Sequence, residues 1–374
     1  MENKIKSFIK ENTEEMFKVL KDLCLIPAPS HFEHKRAEYC KNWLENNGAK
    51  GVYIDEALNV IFPLNCEGKN EITVFAAHTD TVFPDTEPMP YSDDGKIVRC
   101  PGVGDDTACV VVLLFMAKFF IEEKILSENG IMFVCDACEE GLGNLKGMRQ
   151  LFKDFGGRIK TFFSWDGRLP NVADVSVGSH RYEVEVKTEG GHSWGKFGNK
   201  NAIAELAKIA AKIYEIEVPE KEGTKTSYNV GTISGGTSVN TIAQNAKMLC
   251  EYRSTDRECL ESMKDKFEAI FEEARTEGVE VNVVKVGDRP GSITDLKKIE
   301  ALKEIVVPII ENVTNKEVSL ISLSTDCNIP LSLGVQSLCI GTNIQGGAHT
   351  REEWVDKAGL PLGLEMAIKI GLEF

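Results

Sequence analysis

"IMFVCDACEEGLGN", Ile131 to Asn144, begins as an apolar run with almost no polar alternation and ends on two adjacent glutamates and a glycine turn. A strand that reads this way is covered on both faces, as in a parallel sheet. Its carboxylates, Glu139 and Glu140, then fall at the strand's C-terminal end, the rim where open α/β sheets build their sites. "EITVFAAH" before it and "KTFFSWD" after it are runs of the same kind. Between them stand the helical stretches "TACVVVLLFMAKFFIEEK" and "GNLKGMRQLFKDF". This alternation is that of an α/β fold with a doubly wound sheet.

At 374 residues the chain is long enough for two domains, each with a core of ordinary size. Its net charge of −15 argues against nucleic acid and anionic membrane as partners, since both reward a basic surface. The opening "MENKIKSFIKENTEEMFKVLKDLC" reads as an amphipathic helix with charges throughout, not as a secretory signal. The longest apolar run, Ala108 to Ala117, is about half of the ~20 residues a membrane span needs. The eleven cysteines are scattered, mostly in apolar segments, and an odd number cannot all pair internally. Buried free cysteine behaves as a small hydrophobe, so the expected compartment is reducing and the expected location cytoplasmic. Cys135 and Cys138 make a Cys-x-x-Cys frame, but no second pair of soft ligands has matching spacing. The frame is read as structural.

The texture changes between Ser179 and Asp288. "RYEVEVKTEG" alternates with period two, "NAIAELAKIAAKIYEIE" carries Ile203, Leu206, Ala207, Ala210 and Ile213 on one helical face, and "TSYNVGTISGG" and "NAKMLCEYRST" read as two strands. A second helix follows, with Thr255 and Glu258 at capping-box spacing, and "VEVNVVKVG" is a last strand. The order β-α-β-β-α-β is that of a ferredoxin-like unit. Residues 179–288 are therefore expected to form a small α+β domain inserted into a larger one made of 1–178 and 289–374.

Acids and imidazoles fall at the ends of the larger domain's elements. His78 and Asp80 close "EITVFAAHTD", and Asp105 and Asp106 follow "PGVG" and open a helix. Asp166 ends "TFFSWDG", and His349 sits in "IQGGAHTREEW". Any one of these is ordinarily a turn residue or a cap. Four such places converging with Glu139 and Glu140 on one rim point instead to a two-metal site, which needs terminal ligands on each ion and a carboxylate between them. Zinc accepts both imidazole nitrogen and carboxylate oxygen. One metal can take His78 and Asp166 and the other Glu140 and His349, with Asp105, at a helix N-terminus, placed to bridge. Asp80 can accept a hydrogen bond from the second nitrogen of His78 and fix its tautomer. Glu139, left over beside a ligand, is free to take a proton from water. His31 and His34, among charges in "SHFEHKRAEY", are read as solvated.

The set "HTDTV", "GVGDDTA", "EEGLGN", "WDG" and "GGAHTREEW" resembles the ordered motifs of the dinuclear zinc peptidases and deacylases, a family that includes tripeptidase T, aminoacylase, acetylornithine deacetylase and bacterial glutamate carboxypeptidase. The resemblance spans nearly the whole chain. It implies a zinc-peptidase catalytic domain with an inserted dimerisation (lid) domain. It also implies two zinc ions per subunit, one held by His78, Asp105 and Asp166, the other by Asp105, Glu140 and His349. Glu139 matches the general base and Asp80 the carboxylate behind His78. A cis peptide is expected between Asp105 and Asp106. In the inserted domain, His192 of "GGHSWGKFG" matches a histidine that reaches the partner subunit's site. Asn240 and Arg253 match contacts to the substrate's carbonyl and carboxylate, and an arginine fork suits a free carboxylate. One departure stands out. Many relatives carry lysine, or methionine and lysine, after the bridging aspartate, where this chain has Asp106-Thr107-Ala108. The wording "GDDTA" and "HTREEW" leans towards the tripeptidase T-like enzymes.

The expectation is a cytoplasmic homodimeric two-zinc hydrolase that cleaves a peptide bond of a small peptide near a free carboxylate. Cobalt or manganese suits the same ligands. The nearer alternative is an N-acyl-amino-acid deacylase with the same site. The alternative from another class, a non-catalytic ligand-binding homologue, should lack a ligand or the base, and this chain has them all.

Overall fold

Four strands covered on both faces form the centre of the first unit, and their apolar runs leave them nowhere else to go. A computed structural model describes residues 1–374. It divides into one compact unit of Met1–Ser176 with Ile293–Phe374, and a second of Val177–Ser292. The first unit contains an eight-stranded mixed sheet. Its order is Tyr53–Ile54, Val60–Leu64, Gly130–Asp136, Ile72–His78, Ile159–Trp165, Gln336–Ile340, Asn171–Ser176 and Ser319–Leu323. The third to sixth run parallel, and Ile72–His78 and Gly130–Asp136 are buried at every residue. Antiparallel neighbours flank this centre on both sides, so the sheet is mixed rather than wholly parallel.

Register brings the strand ends level. His78 pairs with Asp136, and Ala76 pairs with Ser164, so Asp166 follows at the height of His78. On one face Phe62, Phe133, Phe75 and Phe163 are register neighbours, with ring centroids 5.9, 6.0 and 5.3 Å apart. His78 lies an odd number of residues from Phe75, so its side chain leaves from the opposite face. The helix Ala108–Glu122 is buried round almost its whole circumference and touches the His78 strand and the helices Glu2–Cys24 and Gly359–Gly371. A helix apolar on all sides needs that many neighbours. Phe152 of the helix Lys146–Phe155 packs on Phe162, whose side chain alternates with Phe163, so helices cover both faces. No helix is long and apolar enough to cross a membrane.

The second unit is a four-stranded antiparallel sheet in the order Thr226–Gly235, Asn245–Ser254, Gly178–Lys187 and Glu280–Arg289. The helices Ala202–Tyr214 and Arg257–Glu273 complete the ferredoxin-like pattern. Two details differ from the sequence reading. The second helix is capped by Asp256, whose Oδ1 accepts the Cys259 N–H at 2.9 Å, while the Thr255 hydroxyl accepts the Lys225 N–H. The first helix buries Ala202, Leu206, Ile209 and Ile213 and leaves Ile203 exposed. Both stripes are helically spaced, and alanines on either side made them indistinguishable by pattern.

Candidate metal centre

His78 is the last residue of its strand, and its ring is held on one side by Asp80. Nδ1 lies 3.1 Å from the Asp80 main-chain oxygen and 3.4 Å from Oδ1, which leaves Nε2 facing Asp105 Oδ1 at 3.1 Å. The other oxygen of Asp105, Oδ2, stands 3.1 Å from His349 Nε2, and the same nitrogen is 3.3 Å from Glu140 Oε1. One carboxylate thus has an imidazole nitrogen on each oxygen, as a ligand shared by two cations would. The ligand atoms of His78, Asp105 and Glu140 lie within 4.8 Å of one another, and so do those of His78, Asp106 and Asp166. His78, Asp105, Glu140, Asp166 and His349 therefore come together on the rim. Asp106, which the sequence reading gave no contact, joins them.

Asp80 organises the turn that carries the paired glutamates. Its Oδ1 accepts the Glu139 N–H and its Oδ2 the Glu140 N–H, both at 3.0 Å, while the Ser30 hydroxyl donates to Oδ2 at 2.7 Å. Asp105 is held from its own main chain. Gly102 (φ +76°) opens the turn, where a Cβ would stand 2.5 Å from Thr81 Cγ2. The N–H groups of Gly102, Gly104 and Asp105 donate to the fully buried Glu353 carboxylate at 2.8, 2.7 and 2.7 Å. The Asp105–Asp106 peptide is cis. Glu353 and Ser30 were missed in the sequence. Glu353 stood in plain view four residues past His349, but nothing there says that its carboxylate turns back to residues 102–105.

The electrostatics are those of too many acids in one buried place. Burial raises the Asp105 carboxyl, but the imidazoles of His349 and His78 outweigh it and hold it well below its ordinary value. Burial, the Asp105 and Glu139 charges and the opposing His349 leave Glu140 pushed up to about 7. Asp166 is raised well above its ordinary value by burial and then by Asp105. His349 is pushed up to about 11 by its hydrogen bonds to Asp105 and Glu140. Asp106 Oδ1 is buried without a hydrogen-bond partner. An excess of carboxylate oxygens, an imidazole nitrogen aimed at each oxygen of Asp105 and an orphaned buried oxygen fit a pair of divalent ions of intermediate softness.

The remaining candidates lie in the second unit. His192 is exposed, pairs with Thr241 across a two-residue ladder, and takes the Trp194 N–H on Nδ1 at 3.3 Å. The Ser193 N–H donates to the Asn240 oxygen at 2.9 Å, so His192 and Asn240 are neighbours. Arg253 is not with them. It sits near the far end of the strand Asn245–Ser254, about eight residues or on the order of 25 Å along. Its fork there spans both oxygens of Glu251, at 2.8 and 3.1 Å. Cys135 is buried in its strand. Cys138 donates its thiol to Glu33 Oε1 at 3.3 Å and lies as near His31 Nδ1. All eleven cysteines are free and buried, and His31 and His34 are exposed.

Comparison with known proteins follows the same lines. The model of peptidase family M20/M25/M40 matches residues 74–372. The chain is 25% identical to the YqjE protein of Bacillus subtilis over 268 residues, 67% of this chain and 69% of that one. It is 23% identical to the N-acetyldiaminopimelate deacetylase of Bacillus pumilus over 274 residues, 69% and 71% of the two chains. Its fold is similar to that of the aminopeptidase PepT from Bacillus cereus, with a TM-score of 0.73, 20% identity and 97% and 98% of the two chains covered.

Proposed function

Because the chain belongs to peptidase family M20/M25/M40 and is thus a metallopeptidase or amidohydrolase, we propose that it is a two-zinc enzyme cleaving a peptide bond of a small peptide beside a free carboxylate. The observation that carries this reading is the Asp105 carboxylate, with His78 Nε2 on one oxygen and His349 Nε2 on the other. In this reading His78, Asp105 and Asp166 would hold one ion, and Asp105, Glu140 and His349 the other, while Asp106 Oδ2 accepts the His78 main-chain N–H at 3.1 Å. The ions, when bound, supply Lewis acidity that polarises the scissile carbonyl and acidifies a water. Glu139 takes the water's proton and delivers it to the leaving amine. Asp80 keeps the His78 ring turned with Nε2 towards Asp105 and fixes the amides of Glu139 and Glu140.

Residues of the second unit complete the site in a homodimer. His192 and Asn240 contact the carbonyl oxygen, and Arg253 trades Glu251 for the substrate's carboxylate. The length of strand between Asn240 and Arg253 supports a shared site, since one small substrate cannot touch both ends of it in a single chain. We place the enzyme in the cytoplasm, on the reducing environment that eleven free thiols favour. The likeness to the Bacillus pumilus deacetylase favours a second reading, deacylation of an N-acyl amino acid by the same groups.

The test is a panel of di- and tripeptides and matched N-acetyl amino acids, offered to protein stripped of metal and reloaded with zinc, cobalt or manganese. Turnover that appears only on reloading and is fastest on peptides is expected. Fastest turnover on the N-acetyl compounds selects the second reading. Two bound metals with no amide hydrolysed would make the chain a binding homologue.

A further inference from the structure

Arg36 is the one lysine or arginine of the first unit that is fully buried, at 1% exposure. No carboxylate hydrogen-bonds it. Its Nε donates to the Ile26 oxygen at 2.8 Å, and its Nη1 donates both to the Thr79 oxygen at 3.0 Å and to Thr107 Oγ1 at 3.1 Å. Nη2 is buried with no hydrogen-bond partner. A guanidinium taken out of water with the Asp80 charge nearby but no carboxylate in hydrogen-bond contact costs several kcal/mol, which a methionine or leucine in the same helix, His34–Asn46, would avoid.

The two acceptors of Nη1 show what the charge is kept for. Thr79 lies between His78 and Asp80, and Thr107 follows Asp105 and Asp106. The Thr107 hydroxyl donates in turn to the Gly102 oxygen at 2.6 Å, and Gly102 is one of the three residues whose N–H groups Glu353 accepts. One nitrogen of Arg36 thereby joins the turn that ends the His78 strand to the turn that presents Asp105. Between these turns runs the 3.1 Å contact of His78 Nε2 with Asp105 Oδ1.

We propose that Arg36 is a positioning residue that sets the spacing of the two ligand-bearing turns from behind, and that metal affinity depends on it through Thr107. The proposal rests on reading those turns as metal-bearing. Charge alone and position make opposite demands. A fixed cation near two divalent ions repels them, so if Arg36 acted only as a charge its removal would tighten metal binding. As a strut its removal loosens the ligand geometry, and groups standing behind ligands typically carry 10- to 100-fold in affinity.

Apparent zinc and cobalt affinities are measured by chelator competition, with the visible spectrum of the cobalt form as a direct report on ligand geometry. Melting temperatures of the metal-free proteins report folding. The wild type is expected to bind two equivalents, and Arg36→Met to bind both at least tenfold more weakly with an altered cobalt spectrum. Should Arg36→Met fail to fold, Thr107→Val removes the acceptor without unpairing a second charge and is expected to weaken binding, while Thr107→Ser restores it. Wild-type or tighter affinity in Arg36→Met, or in Thr107→Val, overturns the strut. A wild-type chain that takes up no metal overturns the metal reading, and this proposal with it.

Discussion

Two neighbouring glutamates, Glu139 and Glu140, carry the proposed division between base and metal ligand. Asp80 fixes both amides, and Glu140 turns Oε1 to His349. Glu139→Gln is expected to keep two metals and lose at least about 10²-fold in kcat, the usual weight of a general base. Glu140→Gln is expected to lose metal as well as rate. Elemental analysis beside kcat decides, and wild-type turnover in Glu139→Gln removes the assignment. The same residue sets a pH dependence. Glu140 stands at about 7 against an ordinary 4.5, mainly through burial. A carboxyl raised in the folded state contributes stability below its unfolded value and loses it as pH rises through 7. The metal-free protein should therefore melt lower at pH 8 than at pH 5.5, through this group. In the proposed site metal needs both Glu140 and His349 unprotonated, so uptake displaces the Glu140 proton together with that of His349, which is pushed up to about 11, and affinity should fall by more than tenfold per pH unit below 7. Calorimetric titrations in buffers of different ionisation enthalpy count the protons. Uptake with no proton released between pH 6 and 7 contradicts it.

At the scale of elements, the rim is only as level as the strands beneath it. The row Phe62, Phe133, Phe75 and Phe163 locks four strands in register on the face away from His78. Phe75 is completely buried and touches rings on both neighbouring strands. Phe75→Ala should cost about 3–5 kcal/mol, the range for an aromatic deleted from a packed core. Denaturant unfolding measures it, and a loss below about 1 kcal/mol would mean that the cavity collapses freely. Metal stoichiometry should survive at low temperature, because the ligands leave from the other face.

The whole molecule raises the question of how many chains make one site. If His192 acts on the partner subunit's centre, His192→Ala should lower kcat by roughly 10²-fold or more with metal retained, as loss of a donor to a developing oxyanion does. Mixing inactive His192→Ala with inactive Glu139→Gln chains should then restore activity, because one of the two sites in a mixed dimer has both residues. Subunit exchange shown by mass, with no return of rate, would place His192 in the same chain's site or in none.

Much of this was legible in the residues themselves. Apolar runs without alternation mark "EITVFAAH" and "IMFVCDA" as strands buried on both faces, because any exposed face would have shown polar residues at period two. Acids and histidines at the ends of such strands must share a rim, so His78, Asp105, Glu140, Asp166 and His349 were named together. The ferredoxin-like order also follows from local periodicity alone. What stayed hidden needed distance in sequence to become nearness in space. Glu353 reaches Gly102, Gly104 and Asp105, and Arg36 reaches Thr79 and Thr107, across separations of 248 to 251 and of 43 to 71 residues. Local pattern records which side a residue faces. Only the packed fold decides whose main chain a buried carboxylate or guanidinium must satisfy, because that partner is whatever polar group the folding chain leaves unpaired beside it.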